Sequence, residues 1–325
     1  MNVREGIEGL KQVPQGAVMS IGNFDGLHVG HRRILDTMKS LRDAMPAHPP
    51  LAVVTFEPHP LTVLRPQLAP PRLSPYPMKQ QLLENAGIDE LVVLPPTREV
   101  LDLTAEAFWQ ILTDNVRPTH LVEGASFNFG KGRGGTVQRL RELAAHSQVH
   151  LHVIDAVLTS LTDLQVAEVS SSLIRWLICY GRVRDAAVCL GRPYTLQGTV
   201  VRGFGRGRQI GIPTANLSCL DQLIPADGVY AGRCVLDGSA YPVAVSIGTM
   251  PTFGENQRQI EAHLIGFDGD LYDLVIDVEL LDWLRDQLRF SGVAALKAQL
   301  ALDLLQVREL RNLDPVRAPA RLAAG

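Results

Sequence analysis

The run Ser20-Ile21-Gly22-Asn23-Phe24-Asp25-Gly26-Leu27-His28-Val29-Gly30-His31 concentrates glycines, a carboxylate and two imidazoles in one short stretch. Apolar Ala17–Ile21 lead into it as a buried strand, and Ile34, Leu35, Met38, Leu41 and Met45 follow at helical spacing. Gly22, Gly26 and Gly30 therefore lie between a strand and a helix, where glycine permits tight turns and close backbone approach to a ligand. A helix start adds unpaired N–H groups and a positive dipole end, which together attract anions. His28 and His31, three residues apart, share one face of the first turn and can reach the same phosphate oxygens. The chemistry this suits is nucleotidyl transfer, where pre-placed donors meet charge growing on phosphate and on departing pyrophosphate. The bare His-x-x-His spacing fits half a metal site or two unrelated surface histidines equally well. Strand, turn and helix around it favour the phosphate reading.

A second set lies far downstream. Gly203-Phe204-Gly205-Arg206-Gly207-Arg208-Gln209-Ile210-Gly211 runs into Ile212-Pro213-Thr214-Ala215-Asn216. No Gly-Lys-Ser/Thr follows the glycines, so this is not a Walker A loop, and a protein kinase's lysine and His-Arg-Asp set are missing too. Gly203, Gly205, Gly207 and Gly211 with Arg206 and Arg208 could still wrap a triphosphate. Thr214 and Asn216 alternate onto one face of an extended segment and offer neutral oxygens suited to Mg²⁺ shared with phosphates. A plain glycine-rich hairpin with turn hydrogen bonds is the alternative. Glu261, a carboxylate in the apolar-flanked run Ile260–Ile265, needs a partner or a catalytic role.

The elements that must position these residues come in two styles. Apolar runs at Ala17–Ile21, Leu51–Phe56, Leu91–Leu94, His120–Val122 and Val149–Ile154 alternate with helical patterns at His31–Met45, Met78–Asn85, Ala105–Asp114 and Val137–His146. Continuous apolar strands between helices indicate an α/β domain with a parallel sheet covered on both faces, and ligands at the strands' carboxyl ends. Prolines crowd residues 58–77, a stretch expected to hold neither helix nor central strand; it is an inert loop or a flap over the site. Glu123 to Gly135 is a glycine-rich loop with Lys131 and Arg133, suited to phosphate or adenine and equally to a solvated turn. Ser170, Ser171 and Ser172 ahead of Leu173 and Ile174 read as a helix cap, and Arg175 with those hydroxyls could hold nucleotide phosphates. After a short helix at Arg182–Leu190 the pattern changes. Short alternating runs at Leu196–Val201, Gly228–Val235, Tyr241–Ser246, Ile260–Ile265 and Leu274–Leu280 indicate a small antiparallel β-barrel, closed off by an amphipathic helix at Val293–Leu310. The expected domains are 1–185 and 186–310, with 311–325 a frayed tail.

Composition narrows the partners. A chain of 325 residues is long for one core, and a net charge of −3 gives no global attraction to nucleic acid or anionic membrane. No apolar run reaches the ~18 residues of a membrane span and no signal-peptide h-region opens the chain. Cys179, Cys189, Cys219 and Cys234 form no C-x-x-C pair and read as reduced packing residues of a cytoplasmic protein.

Gly22 to His31 resembles the nucleotidyltransferase signature of the bacterial bifunctional riboflavin kinase and FMN adenylyltransferase family, the FAD synthetases. The agreement continues through Thr55-Phe56-Glu57-Pro58-His59-Pro60, the 123–135 loop, Ser170–Arg175, Gly203–Asn216, Pro225-x-x-Gly228-Val229-Tyr230, Ile247-Gly248-Thr249 and Glu261-x-His263-Leu264. The resemblance implies a Rossmann-like N-terminal domain that transfers AMP from ATP to FMN, releasing pyrophosphate and FAD. It implies a C-terminal barrel that phosphorylates riboflavin with ATP and Mg²⁺, with Glu261 as base and Thr214 and Asn216 at the metal. His28 and His31 would stabilise phosphate charge, with Asn23, Phe24, Asp25, Ser126, Ser171, Ser172, Arg175 and Arg285 among the ligand contacts. Departures are Ser126 for an Asp or Asn, Ser172 for a threonine, Leu173 within the serine motif, Ser246 for an Asn, Met250 after Thr249, Gly266 for an Asp and Gln287 for a Glu. A kinase with a weakened adenylyltransferase half, or a flavin-binding sensor without turnover, are the rival readings.

Overall fold

In the computed structural model, residues 1–203, 207, 211–219, 221–249 and 258–310 are described. They fall into two compact units, one of Met1–Pro71 with Tyr76–Val157, the other of Arg72–Pro75 with the chain from Leu158 on.

The first unit is built on six parallel strands: β1 (Asn2–Glu5), β2 (Val18–Ile21), β3 (Leu51–Phe56), β4 (Glu90–Leu94), β5 (His120–Gly124) and, after the two-residue strands β6 (Asn128–Phe129) and β7 (Gly135–Thr136), β8 (His150–Ile154). Their order across the sheet is β1-β4-β3-β2-β5-β8. Helices α1 (Gly6–Leu10), α2 (Val29–Asp43), α3 (Leu61–Leu64), α4 (Tyr76–Asn85), α5 (Arg98–Leu101), α6 (Ala105–Asn115) and α7 (Val137–His146) connect them. The inner strands β2, β3 and β4 are buried at nearly every position because successive residues feed opposite faces and both faces are covered. Met19, Ile21, Val54, Val92 and Leu121 pack with α1, α6 and α7, while Val18, Val53, Leu91 and Val122 pack with α2 and α4. The chain runs outward through β2, β3 and β4, then returns to place β5 on the other side of β2. Strand order reverses at the β2/β5 boundary, where ligands of open parallel sheets bind.

The sequence reading is corrected at two places. Residues 2–5 form an edge strand paired to β4, although their charges hide it. The proline-rich stretch is not free of helix: it holds α3, a 3₁₀ turn at Pro66–Leu68 and the start of α4. Pro60 caps α3, Pro66 opens the 3₁₀ turn and Pro77 is the second residue of α4, positions where a missing N–H costs nothing.

The second unit opens with the hairpin β9 (Leu158–Ser160) and β10 (Val166–Glu168), then α8 (Ser171–Cys179) and α9 (Val183–Leu190). Six antiparallel strands follow: β11 (Tyr194–Val201), β12 (Ala215–Ser218), β13 (Gly228–Leu236), β14 (Ser239–Thr249), β15 (Arg258–Leu264) and β16 (Val275–Arg285). They close into a barrel in the order β11-β12-β15-β14-β13-β16, which leaves no strand edge exposed. Residues 72–75 belong to this unit: the Leu223 amide donates to the Arg72 carbonyl at 2.7 Å, Gln222 Nε2 to that of Leu73 at 3.2 Å, and Arg72 pairs with Asp221.

The last helix, α10 (Val293–Leu310), lays Asp303 and Val307 against the barrel. Arg285, at the end of β16, forks onto Asp303 with Nε–Oδ1 3.0 Å and Nη2–Oδ2 2.7 Å, and Gln299 Nε2 donates to the same carboxylate at 2.9 Å. Asp303 is 1% exposed, so removing it strands a half-shielded guanidinium. Asp303→Ala should lower stability by about 3–5 kcal/mol, the usual cost of breaking a buried pair from one side. Urea denaturation followed by tryptophan fluorescence in a chain that keeps Trp283 and carries Phe at Trp109 and Trp176 measures this.

Candidate active sites

In the first unit β2 ends at Ile21 and α2 begins at Val29. The turn between them is forced: Phe24, Gly26 and Leu27 all have positive φ (47°, 78° and 36°), a conformation that non-glycine residues keep only where their surroundings over-determine it. Those surroundings are visible. The Gly22 amide donates to the Val54 carbonyl at 2.9 Å, Thr55 Oγ1 donates to the Asn23 carbonyl at 3.3 Å, and the side chains of Phe24 and Leu27 are buried. A side chain at Gly22 would stand 3.2 Å from the Phe24 ring.

His28 is the N-cap of α2: its Nδ1 accepts from the His31 amide at 3.3 Å. An imidazole that accepts at Nδ1 carries its proton on Nε2. The His31 ring stacks on it, with centroids 3.6 Å apart and planes 16° apart, and tilts against Phe24 at 5.1 Å. His31 Nδ1 is buried and has no hydrogen-bond partner among the described residues. Burial, and after it the neighbouring His28, hold His31 well below the ordinary imidazole value, so it is neutral at pH 7. Two parallel imidazoles at a helix N-terminus thus form a compact donor platform whose charge an arriving anion would raise.

In the barrel, register makes the second constellation. Asn216 on β12 lies opposite Glu261 on β15, and Glu261 lies opposite Ser246 on β14. Ile260, Ala262 and Leu264 point into the barrel core, so Glu261 is on the outer face and its apolar neighbours in sequence are explained by alternation. Two glycines pack closely against the segment that leads into β12: a side chain at Gly203 would collide with the Asn216 amide, and one at Gly207 with the Ile212 carbonyl and, at 3.2 Å, Thr214 Oγ1. His263 Nδ1 contacts the Pro213 carbonyl at 2.7 Å and so fixes the residue ahead of Thr214. Among the described residues no group of three His, Cys, Asp or Glu side chains could hold a metal ion.

Residues 10–172 match the FAD synthetase family model and residues 190–311 the riboflavin kinase family model. The bifunctional riboflavin kinase/FMN adenylyltransferase of Escherichia coli K12 is 34% identical over 316 residues, covering 96% of this chain and 99% of its own. That of Bacillus subtilis 168 is 32% identical over 310 residues, covering 94% and 96%. The chain belongs to the bifunctional riboflavin kinase/FMN adenylyltransferase family. A crystal structure of a macrolide-efflux protein from Streptococcus pneumoniae also matches, at TM-score 0.84 and 28% identity over 97% of this chain and 100% of that one. No described helix is long and apolar enough to cross a membrane.

Within the FAD-synthetase part, Gly22 to Gly26, His28, Gly30 and His31 are brought together at one strand end. Ser126 is exposed on the loop after β5, where its carbonyl accepts from Asn128 Nδ2 at 2.7 Å. Lys131 on that loop pairs with Asp102 at 3.0 Å. Ser171, Ser172 and Arg175 lie in the first turns of α8, capped by Ser170 Oγ, and belong to the second unit whereas His28 and His31 belong to the first. Within the riboflavin-kinase part, Gly203, Gly207, Thr214, Asn216 and Glu261 share one face, and Arg285 is engaged with Asp303. Gly211 has a φ of 84°. Gly205, Arg206, Arg208 and Met250 lie outside the described residues.

Three polar groups have contacts that the sequence reading does not give. Gln287 Nε2 donates to Ser246 Oγ at 2.9 Å, beside Glu261. Lys79, a lone cation on the inner face of α4, pairs with Glu57 at 2.6 Å just beyond β3. Glu123 is buried at the end of β5. Only Lys79 gave a signal, as a charge on an otherwise apolar helix face.

Because the folded value for His31 lies below the unfolded one, near 6.5, the unfolded chain takes that proton first. Its contribution to stability is full above about pH 6.5 and is lost as the pH falls below it. His120 and His152 are held low in the same way, by burial and then by neighbouring histidines. Urea midpoints should therefore decline from about pH 7 to about pH 5.5, and His31→Ala should flatten the decline without abolishing it.

Proposed function

We propose that the part of the chain up to about residue 185 adenylylates FMN and that the barrel after it phosphorylates riboflavin. The observation that carries this is one chain bearing two separate phosphate-directed constellations, the stacked His28/His31 platform and the Asn216–Glu261 pair beneath Gly203 and Gly207.

In the barrel Glu261 takes the proton from the terminal ribityl hydroxyl of riboflavin as that oxygen attacks the γ-phosphorus of ATP and ADP departs. Thr214 and Asn216 have the neutral oxygens to hold Mg²⁺ jointly with ATP, and the ion supplies charge neutralisation on the phosphates. The bare backbone at Gly203 and Gly207 lets the chain pack directly on Asn216 and beside Thr214, the two residues that would hold the ion. In the first unit a phosphate oxygen of FMN attacks the α-phosphorus of a second ATP, and pyrophosphate leaves. The Nε2–H of His28 and the ring of His31 meet the charge that develops on the phosphates. Ser171, Ser172 and Arg175 hold the nucleotide, and Asn23, Asp25 and Ser126 line the ligand. The same reading places the protein in the cytoplasm, which suits its four unpaired cysteines, three of them with thiols pushed up to about 11 by burial.

Purified protein given riboflavin, ATP and Mg²⁺ should accumulate FMN and then FAD, separable by chromatography. Glu261→Gln should slow FMN formation by roughly two to four orders of magnitude while supplied FMN is still converted to FAD. His31→Ala should slow FAD formation by ~10²–10³ and leave FMN accumulating. Near-parental turnover in either variant removes the role assigned to that residue.

A further inference from the structure

β2 and β5 share a ladder register only at Val18 with His120 and Met19 with Leu121. Beyond that point β5 stays with β8, through Glu123 with Val153 and Gly124 with Ile154. The Ile21 amide, inside a sheet and buried, must still be satisfied. Glu123 satisfies it: Oε1 accepts from the Ile21 amide at 2.6 Å. On the other flank the Gly22 amide is held by Val54 of β3 at 2.9 Å. The chain is thus pinned from both sides at the two residues immediately before Asn23. This is the crevice where strand order reverses.

A carboxyl is a costly group to bury, and Glu123 is 1% exposed. Burial pushes it well above the usual carboxylate range, against the smaller opposing effect of the Ile21 amide. The shift favours the uncharged acid, and in either form Oε1 can accept from the Ile21 amide. Removing the acceptor would leave a buried N–H without a partner at the root of the strained turn.

We propose that Glu123 is a positioning residue for adenylyl transfer, its side chain replacing the ladder bond that β2 and β5 no longer make and so fixing where the chain leaves the sheet towards His28 and His31. The proposal rests on the assignment of those histidines to the transfer site.

Glu123→Met fills the space without an acceptor, and Glu123→Gln keeps Oε1. With supplied FMN and ATP, Glu123→Met should lower kcat for FAD formation by roughly ten-fold or more with KM changed far less. Glu123→Gln should recover kcat to within about three-fold of the parent, because its amide oxygen takes the place of Oε1 as acceptor for the Ile21 amide. Riboflavin phosphorylation by the same chains reports on the barrel and should not move, and far-UV circular dichroism at the parental level shows that the first unit is folded. Parental kcat in Glu123→Met, or Glu123→Gln as slow as Glu123→Met, overturns the proposal. Where Glu123→Met loses both activities, Glu123→Asp decides: one methylene short of Ile21, it must be slow where Glu123→Gln is fast. His31→Ala assayed alongside separates the two claims. A parental rate there overturns the histidine assignment alone, whereas a parental rate in Glu123→Met overturns the Glu123 proposal whatever His31→Ala does.

Discussion

β2 is buried at all four of its positions and flanked by strands on both sides, so no backbone group along it meets water and the chain can change direction only at its end. The first site follows from that constraint. The turn must reverse into α2 within seven residues, which drives Phe24 and Leu27 to positive φ and buries their side chains as anchors. It also delivers His28 to the N-cap position of α2, where an imidazole replaces the usual short hydroxyl or carboxylate. His31 is then set one turn along, half-buried and stacked on its partner, with Nδ1 shielded from solvent and its neutral form favoured.

The barrel reaches a comparable result by other means. Closure satisfies every strand edge, so the outer face is available for polar residues aligned by register rather than by a turn. Asn216, Glu261 and Ser246 form one row across three strands, with Gln287 braced on the last of them. The glycines that cover this row are required by contact: at Gly203 and Gly207 any side chain would occupy space already taken by Asn216, Ile212 or Thr214.

Much of this was legible in the residues. The β2–α2 unit announces itself because an apolar run, glycines and a 3.6-residue period occur in sequence, and the barrel because short alternating runs replace long helices. β1 was hidden, since an edge strand with Arg4 paired to Glu90 needs no apolar face of its own. The helical turns among the prolines were hidden because proline was read as a breaker and not as a starter. Glu123 was read as part of a loop because its partner is a backbone amide 102 residues earlier, which no local pattern encodes. Arg285 pairs with Asp303, a buried carboxylate on a helix whose period shows in the sequence through Leu296, Leu300, Leu304 and Val307, so no local pattern encodes that ion pair.

Residues 72–75 add a consequence of connectivity. Both of their flanking segments, through Pro71 and from Tyr76, are counted in the first unit, yet Leu73 and Ser74 are buried and the backbone of Arg72 and Leu73 serves as acceptor for Leu223 and Gln222. The barrel's hydrogen-bonding inventory is therefore written in two places in the gene. A crossover that exchanged only the downstream half between two family members would transplant the barrel without the strap that its Gln222–Leu223 corner grew up against, and the recipient's own strap would have to match it. The two halves can diverge in sequence, but at that corner they must diverge together.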